Sequence, residues 1–162
     1  MPKTSEKYKT DYLFKKENDR SPIVFIHGVG LTKEMWSPQI DFFKDYNILT
    51  YDLIGHGKTP FEKTQLNFED FVKQLLNLIN ELEIKKIHLV GFSLGALIAR
   101  HFAATNGDRL NSLTLSSSGV MVAHLIPTPI FLMAFAQSTV ILSDVLSLLS
   151  IPKSKYLISI SK

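Results

Sequence analysis

The residues best placed to do chemistry are Gly91-Phe92-Ser93-Leu94-Gly95. The apolar run Lys86-Ile87-His88-Leu89-Val90 before them has the length and bounds of a buried strand. From Ala96 to Thr105 the chain carries helix formers, and Leu94, Leu97, Ile98 and Phe102 fall at helical spacing. A serine between two glycines at a strand-to-helix turn is presented on a tight bend that excludes large neighbours, hence Gly91 and Gly95. The bend lifts the Ser93 hydroxyl to the positive end of the helix, where backbone N–H groups lack intrahelical partners. Such donors can hold the negative charge that forms when an acyl carbon is attacked. Nucleophilic acyl transfer is therefore the chemistry to test against the rest of the chain.

A second glycine group stands upstream. Ile23-Val24-Phe25-Ile26 reads as a strand buried on both faces, and His27-Gly28-Val29-Gly30 at its C-terminal end lets the backbone turn N–H groups into a cleft. Asn47 to Leu53 is the next strand, followed by the turn Gly55-His56-Gly57-Lys58-Thr59-Pro60. His56 reads as a loop histidine that bonds backbone, because it sits beside its strand and not opposite Ser93.

The elements that must position these groups follow from pattern. Met1 to Thr10 is polar and reads as a loosely held terminus, and Tyr12-Leu13-Phe14 as a short edge strand closed by the turn cluster Asn18 to Pro22. Ser37-Pro38 predicts a helix N-cap with proline at the first helical position, the helix running to about Lys44. Asn67 and Asp70 predict a capping box, and Phe68, Phe71, Val72, Leu75, Leu76, Ile79 and Leu82 form one apolar stripe behind it. Asn106-Gly107 predicts a left-handed end to the helix after Ser93, and Leu110 to Leu115 a further strand. This alternation implies an α/β fold with a mostly parallel sheet and helices on both faces. Ligands of such sheets bind beyond the carboxyl ends of the strands, where Val29, Asp52 and Ser93 all lie, so one cleft is expected to gather them.

Composition narrows the classes. A chain of 162 residues with 45% hydrophobic and 20% charged residues suits a single folded domain. A net charge of +3 without a basic cluster argues against nucleic acid as a partner. Cysteine is absent, which removes disulfides and thiolate metal sites. The first twenty residues lack an apolar core run, so a cytoplasmic protein is expected. From Val120 to Ile151 the chain is strongly apolar, but Gln137, Ser138, Thr139, Ser143, Asp144 and Ser147 make a poor membrane span, and helices covering the cleft are expected instead.

Taken together, His27 to Gly30, Met35-Trp36, Asp52 with Gly55-His56-Gly57, the Gly91 to Gly95 turn and Gly107 to Leu110 resemble the α/β-hydrolase superfamily, and within it the single-domain esterase and enol-lactonase branch. The resemblance runs from about Ile23 to Gly119. It implies residues 1–22 as an N-terminal segment, 23–119 as an incomplete core, and 120–162 as a cap-like apolar helical tail. It implies Ser93 as nucleophile, the backbone N–H groups of Val29 and Leu94 as the oxyanion hole, and structural roles for His27, Gly28, Gly30, Asp52, Gly55, His56 and Gly57. A small carboxylic ester or lactone is the implied substrate, with no metal or organic cofactor.

The superfamily orders its triad as serine, acid, histidine, the last two on loops after later strands. Beyond Ser93 this chain offers only His101, His124, Asp108 and Asp144, and is expected to stop before the last two strands of the fold. A relay of Ser93, His124 and Asp144 is one arrangement to examine. Without a base the serine keeps its proton, so residues 1–162 alone are expected to be inactive. The alternative is a non-catalytic binding or pairing module that associates through residues 120–162.

Overall fold

The computed structural model describes residues 3–62 and 65–116. They form one six-stranded sheet in the order β1-β2-β4-β3-β5-β6. The strands are β1 (Lys3–Thr4), β2 (Asp11–Lys15), β3 (Ile23–Ile26), β4 (Ile48–Tyr51), β5 (Ile87–Phe92) and β6 (Leu110–Ser116). The four strands from β4 to β6 are mutually parallel, whereas β2 runs antiparallel to both β4 and β1.

The helices are α1 (Ser37–Phe42), α2 (Phe68–Glu81) and α3 (Leu94–Thr105). Alternation along the strands sends side chains to two faces. Val24 and Ile26 of β3, Leu49 and Tyr51 of β4, and Ile87 and Leu89 of β5 pack with Phe71, Leu75 and Leu78 of α2 and Ile98 and Phe102 of α3. Phe25 and Ile48 pack on the other face with Trp36, and Ile40 of α1 and Phe43 lie against them. Helices thus cover both faces, as the near-continuous apolar strands require. The α2 capping box of Asn67 and Asp70 is present as the sequence predicts.

Four local expectations are corrected. From Lys3 onward the terminus is tied to the sheet, and Tyr12 to Phe14 is not an edge. Ser5 N–H bonds Thr10 O at 2.9 Å and Thr10 N–H bonds Ser5 Oγ at 3.1 Å, with Lys9 at φ 49°, which closes a hairpin. Its polar residues serve the turn, so β1 takes the edge and β2 is paired on both sides. Ser37 does not cap α1: a 3-10 turn over Lys33–Trp36 runs into the helix, and Ser37 Oγ–H bonds back to Glu34 O at 2.7 Å. Finally, α3 does not end left-handed. Asn106 has φ −135° and the chain enters a 3-10 turn at Gly107–Arg109. There Arg109 donates to Lys85 O, Asn80 Oδ1 and Ile84 O at 2.8–2.9 Å, which ties this turn to the end of α2 and the loop after it. Among the described residues no helix is long and apolar enough to cross a membrane. The segment 120–162 lies outside the described residues.

Candidate active site

Ser93 stands between β5 and α3 with φ 54° and ψ −114°. A left-handed φ at a non-glycine residue costs free energy, and the surroundings hold it there. Ser93 N–H donates to Ser116 O at the end of β6 at 3.0 Å, and Ser93 O accepts from Ala96 N–H and Leu97 N–H at 3.0 and 3.2 Å. The flanking glycines are explained by contact. A Cβ on Gly91 lies 2.7 Å from Ala96 Cα, and one on Gly95 lies 2.6 Å from His27 O. Strand and helix therefore approach backbone to backbone. The helical bonds begin with the Ala96 N–H, so the Leu94 N–H at the start of α3 precedes them and belongs to the orphan donors of a helix N-terminus.

The loop after β3 lies against this turn. A Cβ on Gly28 sits 3.2 Å from Ser93 Cβ and 3.2 Å from Phe92 Cδ1, so the glycine lets the loop pass over the serine. Leu31 N–H bonds Gly28 O at 3.2 Å, with Gly30 at φ +71°, which makes Val29 the first corner of a tight turn. The turn's own bond does not use the Val29 N–H. His27 is wholly buried, and its Nδ1 bonds Gly28 O at 2.8 Å while its Nε2 accepts Leu53 N–H at 3.0 Å. These partners select the neutral tautomer with the proton on Nδ1. Because a peptide unit is planar and trans, fixing Gly28 O also fixes the direction of the Val29 N–H on the opposite side of the same plane. His27 therefore orients a donor without facing the cleft itself.

Burial holds the His27 pKa below its ordinary 6.5, against the raising effect of the Gly28 bond. The sign follows directly. Between 6.5 and the lower folded value the unfolded chain binds a proton that the folded chain refuses, so stability is complete above about pH 6.5 and falls as pH drops through that window. His88, lowered by burial and paired with Ser112 Oγ at 2.8 Å, acts in the same sense. Urea midpoints measured from about pH 7 to 5 are expected to decline, and His27→Gln is expected to flatten part of the slope. An unchanged slope in His27→Gln would show that the ring is not the titrating group.

The expected gathering of Asp52 into the cleft is corrected. Asp52 is 1% exposed, and its carboxylate accepts Lys33 N–H at 2.8 Å, Lys33 Nζ at 2.9 Å and Lys58 N–H at 2.9 Å. It is consumed in tying loops together. Gly57, at φ +53°, has no room for a side chain because Asp52 Oδ1 is 2.7 Å from its would-be Cβ. Gly55 has φ +76°. The His56 ring bonds Ile54 O at 3.1 Å, the backbone-bonding loop role expected of it.

Two buried polar residues escaped the sequence reading. Lys33, 4% exposed, meets Asp11, Asp52 and Glu34. Burial opposes its charge, but the bonds to the three carboxylates outweigh that and hold its pKa above the ordinary lysine value. Nothing local marks it, since lysine is ordinarily solvated. Gln74, fully buried, donates to Thr10 Oγ1 and Asp52 O at 3.0 Å each and accepts Ile54 N–H at 3.2 Å. Its signal was available: position 74 lies at i+3 from Phe71 and i−4 from Leu78, inside the apolar stripe.

No described histidine serves Ser93 as base. His27, His56 and His88 are engaged as above, and His101 Nε2 pairs with Glu69 Oε2 at 2.9 Å on the α2–α3 surface. Asp108 lies in the 3-10 turn that leads into β6, at the far end of the strands. His124 and Asp144, and with them the relay to Ser93, lie outside the described residues. Among the described residues no group of acidic or histidine side chains could hold a metal ion.

A mostly parallel sheet with a left-handed serine at the β5–α3 turn, a glycine loop from β3 lying over it and helices on both faces is the architecture of the α/β-hydrolase fold. The chain belongs to the α/β hydrolase fold family, whose sequence profile matches residues 21–141. It is 32% identical over 101 residues to an (E)-2-((N-methylformamido)methylene)succinate hydrolase of Acinetobacter baylyi, covering 62% of this chain and 38% of that protein. It is 32% identical over 102 residues to 3-oxoadipate enol-lactonase 1 of the same organism, with the same coverage. The enol-lactonase structure from Burkholderia xenovorans superposes with TM-score 0.62 and 26% identity, over 67% of this chain and 44% of that one. The chain thus spans under half the length of these relatives.

Proposed function

We propose that this chain carries the nucleophile half of a serine hydrolase that cleaves a small carboxylic ester or lactone through an acyl-enzyme on Ser93. The observation that carries the reading is the left-handed Ser93 at the start of α3, with the loop at Gly28 so close that a Cβ there would sit 3.2 Å from Ser93 Cβ. Ser93 Oγ attacks the acyl carbon and its proton passes to a base. The Val29 and Leu94 N–H groups hold the resulting oxyanion; its collapse breaks the acyl C–O bond, and that proton goes to the departing alcohol of an ester or to the ring oxygen of a lactone, which stays tethered to the acyl chain. Water then releases the acid by the same route. The acid and base of the triad are supplied from outside the described residues, in agreement with the ring partners of the four described histidines. The similarity to an enol-lactonase supports an ester or lactone as substrate.

The natural full-length protein is expected to form a covalent adduct with a fluorophosphonate, mapped by mass spectrometry to Ser93 and lost in Ser93→Ala. Absence of the adduct in folded protein, or its placement on another residue, ends this reading.

A further inference from the structure

The loop that carries Val29 stands on two feet, and both rest on the end of β4. One foot is the His27 ring, bonded to Leu53 N–H at 3.0 Å. The other is Lys33, whose N–H reaches Asp52 Oδ1 at 2.8 Å and whose Nζ reaches Asp52 Oδ2 at 2.9 Å. The ammonium also meets Asp11 at the start of β2 and Glu34 at 3.0 Å. Asp11 is itself locked to the same place, since its N–H bonds Thr59 Oγ1 at 3.0 Å and its O accepts Asp52 N–H at 2.9 Å.

We infer that the buried Lys33 ammonium is a positioning residue for the oxyanion loop, holding the Val29 N–H at the height and angle that the transition state needs. This rests on the function proposed above. Three features carry it. Lys33 lies only four residues beyond Val29 and three beyond Gly30, so slack at this foot reaches the donor directly. Between the feet the span is held by the Leu31–Gly28 turn bond and little else: Val29 is 59% exposed, Leu31 is 37% exposed, and a Cβ on Gly30 meets nothing within 4 Å. The ammonium is also chemically specific. The buried Asp11 and Asp52 and the more exposed Glu34 meet it from β2, from the end of β4 and from the 3-10 turn, and a cation there offsets the repulsion among carboxylates held so close. An oxyanion donor acts through its alignment, and misplacing it lowers turnover more than substrate affinity.

The test uses the natural full-length protein and a p-nitrophenyl ester, with active sites counted by fluorophosphonate titration. In Lys33→Met, turnover per titrated site is expected to fall roughly 10- to 100-fold, with KM within about twofold of wild type. Lys33→Arg, which restores a cation of similar reach, is expected to recover most of it. A purely structural lysine would instead lower the number of titratable sites and leave turnover per site unchanged, and that result overturns the inference. Should Lys33→Met not fold, Asp11→Asn keeps the ammonium paired with Asp52 and removes only its counter-charge on β2. A roughly three- to tenfold loss per site is then expected, and no loss overturns the inference. A wild-type protein that takes no label at Ser93 fails at the earlier step and refutes the proposed function together with the inference built on it.

Discussion

Gly95→Ala is expected to cost at least about 3 kcal/mol of folding stability, although alanine is the better helix former. Propensity alone gives the opposite sign, about 1 kcal/mol in alanine's favour. Contact decides against it. The new Cβ sits 2.6 Å from His27 O and 2.7 Å from Ile26 C, both backbone atoms at the end of β3. No side chain can rotate to relieve the overlap, so the first turn of α3 must lift away from the sheet. Ser93 and the Leu94 N–H go with it, so phosphonate labelling is expected to slow even in the fraction that folds. Gly30→Ala is the matched control: φ is +71° but nothing lies within 4 Å, so only backbone strain of about 1–2 kcal/mol is expected. Urea denaturation of the pair separates the two costs. A Gly95→Ala protein within about 1 kcal/mol of wild type would show that α3 and β3 do not meet this closely.

Asp52→Ala is expected to cost about 3–5 kcal/mol, because it takes one carboxylate from the buried Lys33 ammonium and leaves two backbone N–H groups without their acceptor. Asp52→Asn keeps an acceptor for one N–H but not the negative charge, so most of the loss is expected to remain. Asp11 and Glu34 soften the effect without abolishing it, since neither reaches the Lys33 and Lys58 N–H groups that Asp52 holds. Paired with Lys33→Met, Asp52→Asn is expected to be clearly less costly than the sum of the two single changes, as a shared buried charge pair requires. Simple additivity in a double-mutant cycle would dissolve the network. The surface pair of His101 and Glu69 provides the contrast: its side chains are 43% and 46% exposed, and its removal is expected to matter little.

What was legible in the chain follows from range. The Gly91 to Gly95 turn, the strands before and after it, and the Asn67–Asp70 box are decided within a few residues, so residue type and spacing sufficed. The Asp52 network is different. It joins residues 11, 33, 52, 58, 59 and 74, and a buried lysine makes sense only once β2, β4 and the loop after β3 have met. The β1–β2 hairpin was missed for a related reason, since its short polar turn reads as frayed chain until its partner strand is known. In place of the left-handed end expected of Asn106-Gly107 the chain passes into a 3-10 turn, whose Arg109 is tied to Ile84, a partner too distant in sequence to be read locally.

The strand order has a consequence of its own. From β3 the chain moves to β4 on one side, then crosses back to β5 on the other. The segment leaving β3 runs to the face of Trp36 and Ile40, while the segment leaving β5 runs to the face of Ile98 and Phe102. The two exits part over adjacent strand ends, and a crevice opens between them at this topological switch point before any side chain is chosen. Connectivity thus sets this crevice beside the β5–α3 turn that carries Ser93, and the proposed acyl transfer takes its place from the strand order.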